Sequence, residues 1–381
     1  MEQATRQCVG IDIAKKDFTA CVCRLSPQSG LCFSKVATFD NSTRGFNQLL
    51  KWARKQTGDS PPITFVMEAT GVYYEPLAYH LHKLRQTVSV LLPNKVKHFG
   101  KSLNVKSKTD RVDARVFAQL GAERHLPAWQ PPAPIFKALR ELTRHRTDLK
   151  QERTVLLNRL SALLSAHEPQ AFVLKSHREM IRKFDTEIAK CEARVKAVLQ
   201  EEGWLQERVN KLLTIKGVGL MSLVIVLAET QGFALISNAK QLTSYAGFDV
   251  VERESGSSVR GKTRISRKGN GRIRAALYFP ALAASRHNAA LRTVYQRVNT
   301  GKASKMVGVV SLQRKLLLLI YSMWKSGTVF QDRSLASGDQ ERKSLLRHKD
   351  EVFENKVGRP AGLPTRDELP SDLSSEALLR Q

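Results

Sequence analysis

The sequence predicts an α/β domain followed by an all-α remainder. Three observations carry this reading: strand-like alternation before residue 93, leucines and valines at helical spacing over 136–199, and apolar helices beyond residue 203 separated by a Gly-Val-Gly turn and a basic segment.

The strands come first. "CVGIDIA" (8–14), "DFTACVCRL" (17–25) and "LCFSKVATF" (31–39) alternate, and their short links favour antiparallel hairpins. A helix over about 43–56, the apolar strand "ITFVME" (63–68), a helix around 74–85 and the strand "TVSVLL" (87–92) follow. Three antiparallel strands and then alternating helix and strand make a mixed sheet, an order that fits a ribonuclease H-like fold.

From 136 to 199, Leu139, Leu142, Leu149, Leu156, Leu160 and Leu163, then Ile181, Ile188, Val195 and Val198, recur between charges, and Pro169 interrupts near the middle. Two long helices folded back as a hairpin are expected, serving as a spacer, a dimerisation element or both. In "LLTIKGVGLMSLVIVLAET" (212–230) a helix end, a Gly-Val-Gly turn and an apolar helix follow one another. A helix-hairpin-helix element sets such a turn against a phosphate, with Lys216, Gly217 and Gly219 in contact. The alternative is an ordinary tight turn in which both glycines take positive φ. "RESGSSVRGKTRISRKGNGRIR" (253–274) holds eight Lys/Arg, and its Arg260, Lys262, Arg264, Arg267, Lys268, Arg272 and Arg274 are expected to face phosphate. Beyond Phe330 apolar periodicity fades, and the tail to Gln381 reads as a loosely ordered extension.

Charge narrows the class of partner. The 381 residues include 62 Lys+Arg against 35 Asp+Glu, a formal charge of +27, with 42% hydrophobic residues. A folded chain this basic has a polyanionic partner, since neutralising phosphates releases counterions. No apolar run approaches the roughly 20 residues that span a bilayer, and the N-terminus lacks a signal-peptide pattern, so a cytosolic protein with no membrane partner is expected. The five cysteines show no paired zinc-ligand spacing and are an odd number for a disulfide set, so they are assigned no chemistry.

Against this basic background, four carboxylates stand out. In "NVKSKTDRVDARVFAQL" (104–120), Asp110 and Asp113 sit among Lys106, Lys108, Arg111 and Arg115. Thr109 suits an N-cap, and acids in a first helical turn suit the dipole. Residues three apart also share a helix face, so both carboxylates can converge on a hard divalent cation. Asp12 lies in the middle of an apolar first strand, where a charge is costly without a partner or metal. Glu68 ends the next apolar strand, where open α/β sheets place their ligand sites. In a ribonuclease H-like sheet those two strands are neighbours. Four acids so gathered repel unless cations neutralise them, and two Mg²⁺ ions are the usual solution for phosphoryl transfer.

"GIDIAKKDF", "MEATGVYY", "KTDRVDARVFA", "LLTIKGVG" and "YAGFDVVERESGSSVRGKTRISRKGNGRIRAALY" together resemble the DEDD transposases of the IS110 insertion-sequence family, over roughly residues 7–327. The resemblance implies a RuvC-like domain at 1–130, a coiled-coil linker or dimerisation element at 131–203 and a transposase domain at 204–330, with 331–381 outside it. It implies Asp12, Glu68, Asp110 and Asp113 as metal-binding acids and Ser255 as nucleophile, with Ser257 and Ser258 beside it. It further implies recombination of donor and target DNA guided by a structured bridge RNA, by a tetramer of two dimers that acts at the bacterial nucleoid.

From the residues alone, Ser255 also reads as a phosphate-contacting loop serine, since a hydroxyl is a poor nucleophile until activated. Two rivals therefore stand beside the recombinase. A RuvC-like metal-dependent nuclease or junction resolvase would use the same acids with water as nucleophile. A non-enzymatic nucleic-acid-binding protein would use the charge and the Gly-Val-Gly turn, leaving Asp12 and Glu68 without a reason.

Overall fold

The computed structural model describes residues 4–57, 60–69, 71–107, 109–234, 236–252, 254–255, 259–261 and 263–330. Lys108, Lys262, Ser257, Ser258 and the tail from 331 to 381 lie outside the described residues. The chain forms two compact units, Met1–Pro132 and Ala133–Gln381.

The first unit runs β1 (Arg6–Ile13), β2 (Asp17–Ser26), β3 (Gly30–Phe33), β4 (Ala37–Asp40), α1 (Thr43–Gln56), β5 (Ile63–Glu68), α2 (Glu75–Lys83), β6 (Thr87–Leu91), α3 (Pro93–Ser102) and α4 (Asp110–Glu123). Strand order is β3-β2-β1-β5-β6, with β4 also on β2. Pairing is antiparallel from β1 through β4 and parallel for β1–β5 and β5–β6. This mixed sheet is compatible with the ribonuclease H-like expectation.

The single strand expected over 31–39 is broken in two. Cys23 pairs with Phe33 and Ala20 with Ala37, so Cys21 and Val22 oppose three residues, 34–36. One extra residue makes a bulge. Ser34 seals it, its N–H donating to Val22 O at 2.9 Å and its Oγ accepting from Val22 N at 3.0 Å.

Period-2 alternation sorts the sheet's side chains into two cores. Val9, Ile11, Phe18, Ala20, Phe65 and Met67 pack with α1 and α2. Cys8, Cys21, Cys23 and Val66 pack with α3 and α4 on the other face. There α4 lies flush on the strands through two glycines. A Cβ at Gly10 would sit 2.1 Å from Ala118 N, and one at Gly121 would sit 2.2 Å from Cys8 Sγ. Past α4 the chain covers the β6 edge, Trp129 N donating to Val88 O at 2.7 Å.

The second unit opens with the expected hairpin, α5 (Pro134–Leu164) and α6 (Ala171–Glu201), each of 31 residues or about 46 Å at 1.5 Å per residue. Arg146 Nε donates to Glu192 Oε1 at 2.7 Å across it. Its base belongs to the second unit's core, where Phe136, Leu139, Val195, Val198 and Leu199 are buried.

The unit continues with α7 (Gly203–Leu213), α8 (Leu220–Thr230) and α9 (Ala239–Ala246). Four two-residue strands follow: β7 (Val250–Val251), β8 (Glu254–Ser255), β9 (Val259–Arg260) and β10 (Arg264–Ile265). Helices α10 (Gly271–Ala276), α11 (Tyr278–His287), α12 (Ala289–Asn299) and α13 (Met306–Ser326) complete it. Helix α13 is by length and composition apolar enough to cross a membrane. Leu312, Leu316, Leu317 and Ile320 are instead fully buried in the unit's core, and Arg314 and Lys315 interrupt the apolar run.

Candidate active site and nucleic-acid interface

Strand parity places Asp12 on the α4 face, continuing Cys8 and Gly10. Glu68 shares that face with Val66. The parallel register Ile11↔Met67 sets Asp12 and Glu68 opposite one another a single step further on. Thr109 caps α4, its Oγ1 accepting from Val112 N at 3.3 Å, and Asp110 and Asp113 occupy the first turn. The cap and the site are therefore one arrangement: the first turn that suits acids is the turn laid against Asp12.

The four carboxylates line one cavity of about 370 Å³ together with Asp17, Thr19 and Thr109. Burial, and then the charges of Asp113, Asp110 and Glu68, push the Asp12 carboxyl up to about 6, against a lowering backbone hydrogen bond from Ile13. Among the described residues no three His, Cys, Asp or Glu side chains close into a cage. The oxygen donors instead share the cavity's lining with Ile13, Ala14, Phe18 and Phe117.

Asp17 and Thr19 were not anticipated as lining residues. Thr19 pairs with Asp12 across β1 and β2, and alternation puts Asp17 on the same face. The DxxxxD spacing of Asp12 and Asp17 across a tight turn was the available signal.

Ser255 lies on a two-tiered β-hairpin where the sequence suggested a loop. Val250 and Val251 pair with Ile265 and Arg264 in the outer tier, and Glu254 and Ser255 pair with Arg260 and Val259 in the inner tier. Ser255 is the last residue of β8. Arg264, Arg267 and Lys268 are exposed on the return side.

The hairpin's base is fastened to the helices. Gly247, at φ +71, ends α9, and Arg267 N donates to its carbonyl at 3.2 Å. A Cβ at Gly269 would lie 2.5 Å from Tyr245 O. Asn270 N donates to Tyr245 O at 2.7 Å, and Asn270 Oδ1 caps α10 by accepting from Arg272 N at 3.0 Å. Its Nδ2 donates to Glu229 Oε2 at 2.8 Å.

Glu229, 4% exposed, also receives both Arg144 donors, at 2.8 and 2.9 Å. Burial would raise its pKa, but the hydrogen bonds from Arg144 and Asn270 and the charges of Arg144 and Arg272 outweigh it and hold the carboxyl below its ordinary value. Sequence reading missed this carboxylate, although a lone Glu ending the apolar run "LVIVLAE" was a signal.

The expected phosphate contacts divide by exposure. Lys106, Lys216 and Arg272 are exposed. Arg274 is turned inward, its guanidinium donating to Ala246 O at 2.7 Å. Gly217 takes φ +97, and a Cβ there would lie 2.8 Å from Ala284 N on α11. Gly219 caps α8 at φ −90 with open space around it. One glycine of the turn thus takes positive φ, where the ordinary-turn reading expected two.

Comparison with known proteins puts the chain among the DNA-modifying enzymes, in the transposase and recombinase class. A family model described as "Transposase", the DEDD type of IS110, matches residues 9–169. Another, described as "Transposase IS116/IS110/IS902 family", matches residues 209–296. The chain belongs to the IS110 family of transposases.

Pilin gene-inverting proteins of Moraxella bovis and Moraxella lacunata are 28% and 29% identical to it, each alignment covering 85% of this chain and 98% of the relative. An IS110 insertion-element protein of Streptomyces coelicolor, "uncharacterized 43.6 kDa protein", is 25% identical over 36% of either chain.

Proposed function

We propose that this chain is an RNA-guided DNA recombinase that excises and inserts its own element, cleaving strands through Ser255 with Mg²⁺ held by Asp12, Glu68, Asp110 and Asp113. The observation that carries this is the convergence of four carboxylates from β1, β5 and α4 on one cavity. An all-oxygen set suits a hard cation. Burial first, and then the neighbouring carboxylates, raise the Asp12 pKa, a penalty on its charged form that a cation would relieve. Such a set suits Mg²⁺, which keeps several waters and takes few carboxylates directly. Bound there, two ions would stabilise charge on the scissile phosphate and the leaving oxygen.

The chain's own part is nucleophilic. Ser255 Oγ bonds to phosphorus, and the bond from phosphorus to the departing strand's oxygen breaks. That oxygen leaves as an alcohol carrying the proton the serine gave up. The phosphoserine diester is nearly isoenergetic with the DNA diester it replaces, so rejoining needs no external energy source. The strand carrying Ser255 supports this role, since it pairs with β9 within the basic segment that exposes Arg264, Arg267 and Lys268, cations that can hold the DNA backbone.

The domain plan that accompanies this reading is a RuvC-like catalytic domain at 1–130, a coiled-coil linker at 131–203 and a transposase domain at 204–330. A homo-oligomer, a tetramer of two dimers, is supported by apolar side chains left exposed on the long hairpin, Leu164, Phe172 and Met180. Donor and target DNA and a bridge RNA are the polyanions that a charge of +27 would hold. The gene-inverting relatives favour site-specific rejoining over simple cutting.

A water-using nuclease is the second reading, favoured by a cavity whose entire lining comes from the first unit. A denaturing gel of labelled DNA, run with Mg²⁺ and read before and after protease, separates the two. Under the recombinase reading Ser255→Ala loses both cleavage and the covalent adduct, while Ser257→Ala and Ser258→Ala are much milder. Asp12→Ala loses cleavage but binds nucleic acid at least as well, because a negative charge has been removed. Wild-type cutting by Ser255→Ala makes water the nucleophile.

A further inference from the structure

We infer that Asn41 is a positioning residue for the acidic site, clamping together the segments that follow the strands carrying Asp12 and Glu68. This rests on the metal-site reading above.

Asn41 lies between β4 and α1. Its backbone N–H donates to Lys16 O at 2.8 Å. Its Nδ2 donates to Ala14 O at 3.0 Å and to Tyr73 O at 3.2 Å. Ala14 is two residues past Asp12, in the turn between β1 and β2. Tyr73 is five past Glu68, in the loop between β5 and α2. One carboxamide therefore links the segments that follow the two central parallel strands, two residues beyond Asp12 and five beyond Glu68. Between β1 and β5 the last recorded register pair is Ile11↔Met67, one residue short of the acids. Beyond that point β1 stays paired with β2 as far as Ile13↔Phe18 and β5 with β6 at Glu68↔Leu91, and Asn41 adds a direct tie between the chains that follow them.

Two carbonyl acceptors require the amino end of the amide on that side, which assigns its orientation. The assignment leaves Asn41 Oδ1 buried without a hydrogen-bond partner among the described residues. Asn41 is itself held rigidly. Ser42 Oγ caps α1 by accepting from Gly45 N at 3.3 Å, and a Cβ at Gly45 would sit 2.0 Å from Asp40 O. The connection carrying Asn41 is thus pinned against both β4 and the first turn of α1. Outer groups that orient metal ligands typically govern about 10–100-fold in metal affinity, and Asn41 would act at the level of the backbone beneath them.

The test uses the full chain with Asn41→Asp and Asn41→Ala. Asn41→Asp keeps the shape but turns carboxylate oxygen against two carbonyls. Mn²⁺ binding, followed by electron paramagnetic resonance well below the melting temperature, is expected to weaken about tenfold or more in Asn41→Asp and less in Asn41→Ala. The Mg²⁺ concentration that half-saturates DNA cleavage should rise by a similar factor, with the rate partly restored at high Mg²⁺. If Asn41→Asp fails to fold, Asn41→Ala carries the test. A lowered melting temperature with unchanged Mn²⁺ affinity overturns the inference and leaves Asn41 a stability residue. Failure of the unaltered chain to bind Mn²⁺, or binding indifferent to Glu68→Ala, overturns the metal-site reading itself and this inference with it.

Discussion

Gly10→Ala tests how closely the helix bearing Asp110 and Asp113 must lie on the strand bearing Asp12. An added methyl would stand 2.1 Å from Ala118 N, 2.2 Å from Ala114 O and 2.7 Å from Ala118 Cα. Ordinary contact begins near 3.4 Å, and all three atoms are α4 backbone, so no rotamer change relieves the overlap. Helix α4 must back away by about 1 Å. Overpacking of this kind costs about 1–3 kcal/mol, which for a unit of this size lowers the melting temperature by roughly 4–12 °C. The same shift moves Asp110 and Asp113 away from Asp12, and a displacement of about 1 Å at reacting groups costs on the order of 100-fold in rate. Melting followed by intrinsic fluorescence and Mg²⁺-dependent strand cleavage at a temperature where the variant stays folded are the assays. Gly203→Ala, where a Cβ meets nothing within 4 Å, is the control and should leave both unchanged. If Gly10→Ala melts like the parent and cleaves within about threefold of it, the close approach is not what sets the acids, and the reasoning fails.

Two further outcomes concern the second unit. Replacing both Arg264 and Arg267 by Ala should weaken nucleic-acid binding on most sequences alike and lower the salt slope by about one to two; altered sequence preference at an unchanged slope would indicate base reading instead. Glu229→Gln should destabilise by about 1–3 kcal/mol, as Arg144 loses its ionised acceptor. Because the Glu229 carboxyl lies below its ordinary value in the folded chain, its contribution is fully present above the unfolded-state value near ~4.3 and is lost as pH falls through the folded one. The melting difference between parent and variant should therefore be constant at neutral pH and shrink under acid. A difference that persists unchanged into strong acid would contradict this ion pairing.

What could be read without coordinates was local. Alternation over residues 8–25 assigns faces within a strand because a strand has period 2, whereas the common face of Asp12 and Glu68 follows from the parallel register of β1 and β5. Thr109 with Asp110 and Asp113 reads as a helix start by its own chemistry. The leucine spacing of α5 and α6 announces a hairpin, and the IS110 motifs announce the family. Tertiary structure decided what depends on partners distant in sequence. The bulge at 34–36 arises from β2's pairing with both β3 and β4. Arg274 looked like one more phosphate contact until Ala246, across the fold, took its guanidinium. Gly10 and Gly217 each prove to be a point where the backbone of a helix passes. Glu229 meets Arg144 from 85 residues away, and Asn41 reaches 27 residues back and 32 forward. The physical reason is common to all of them. Propensity and periodicity act within a few residues, whereas a clamp, a close approach or a buried ion pair exists only after loop closure brings remote segments into contact.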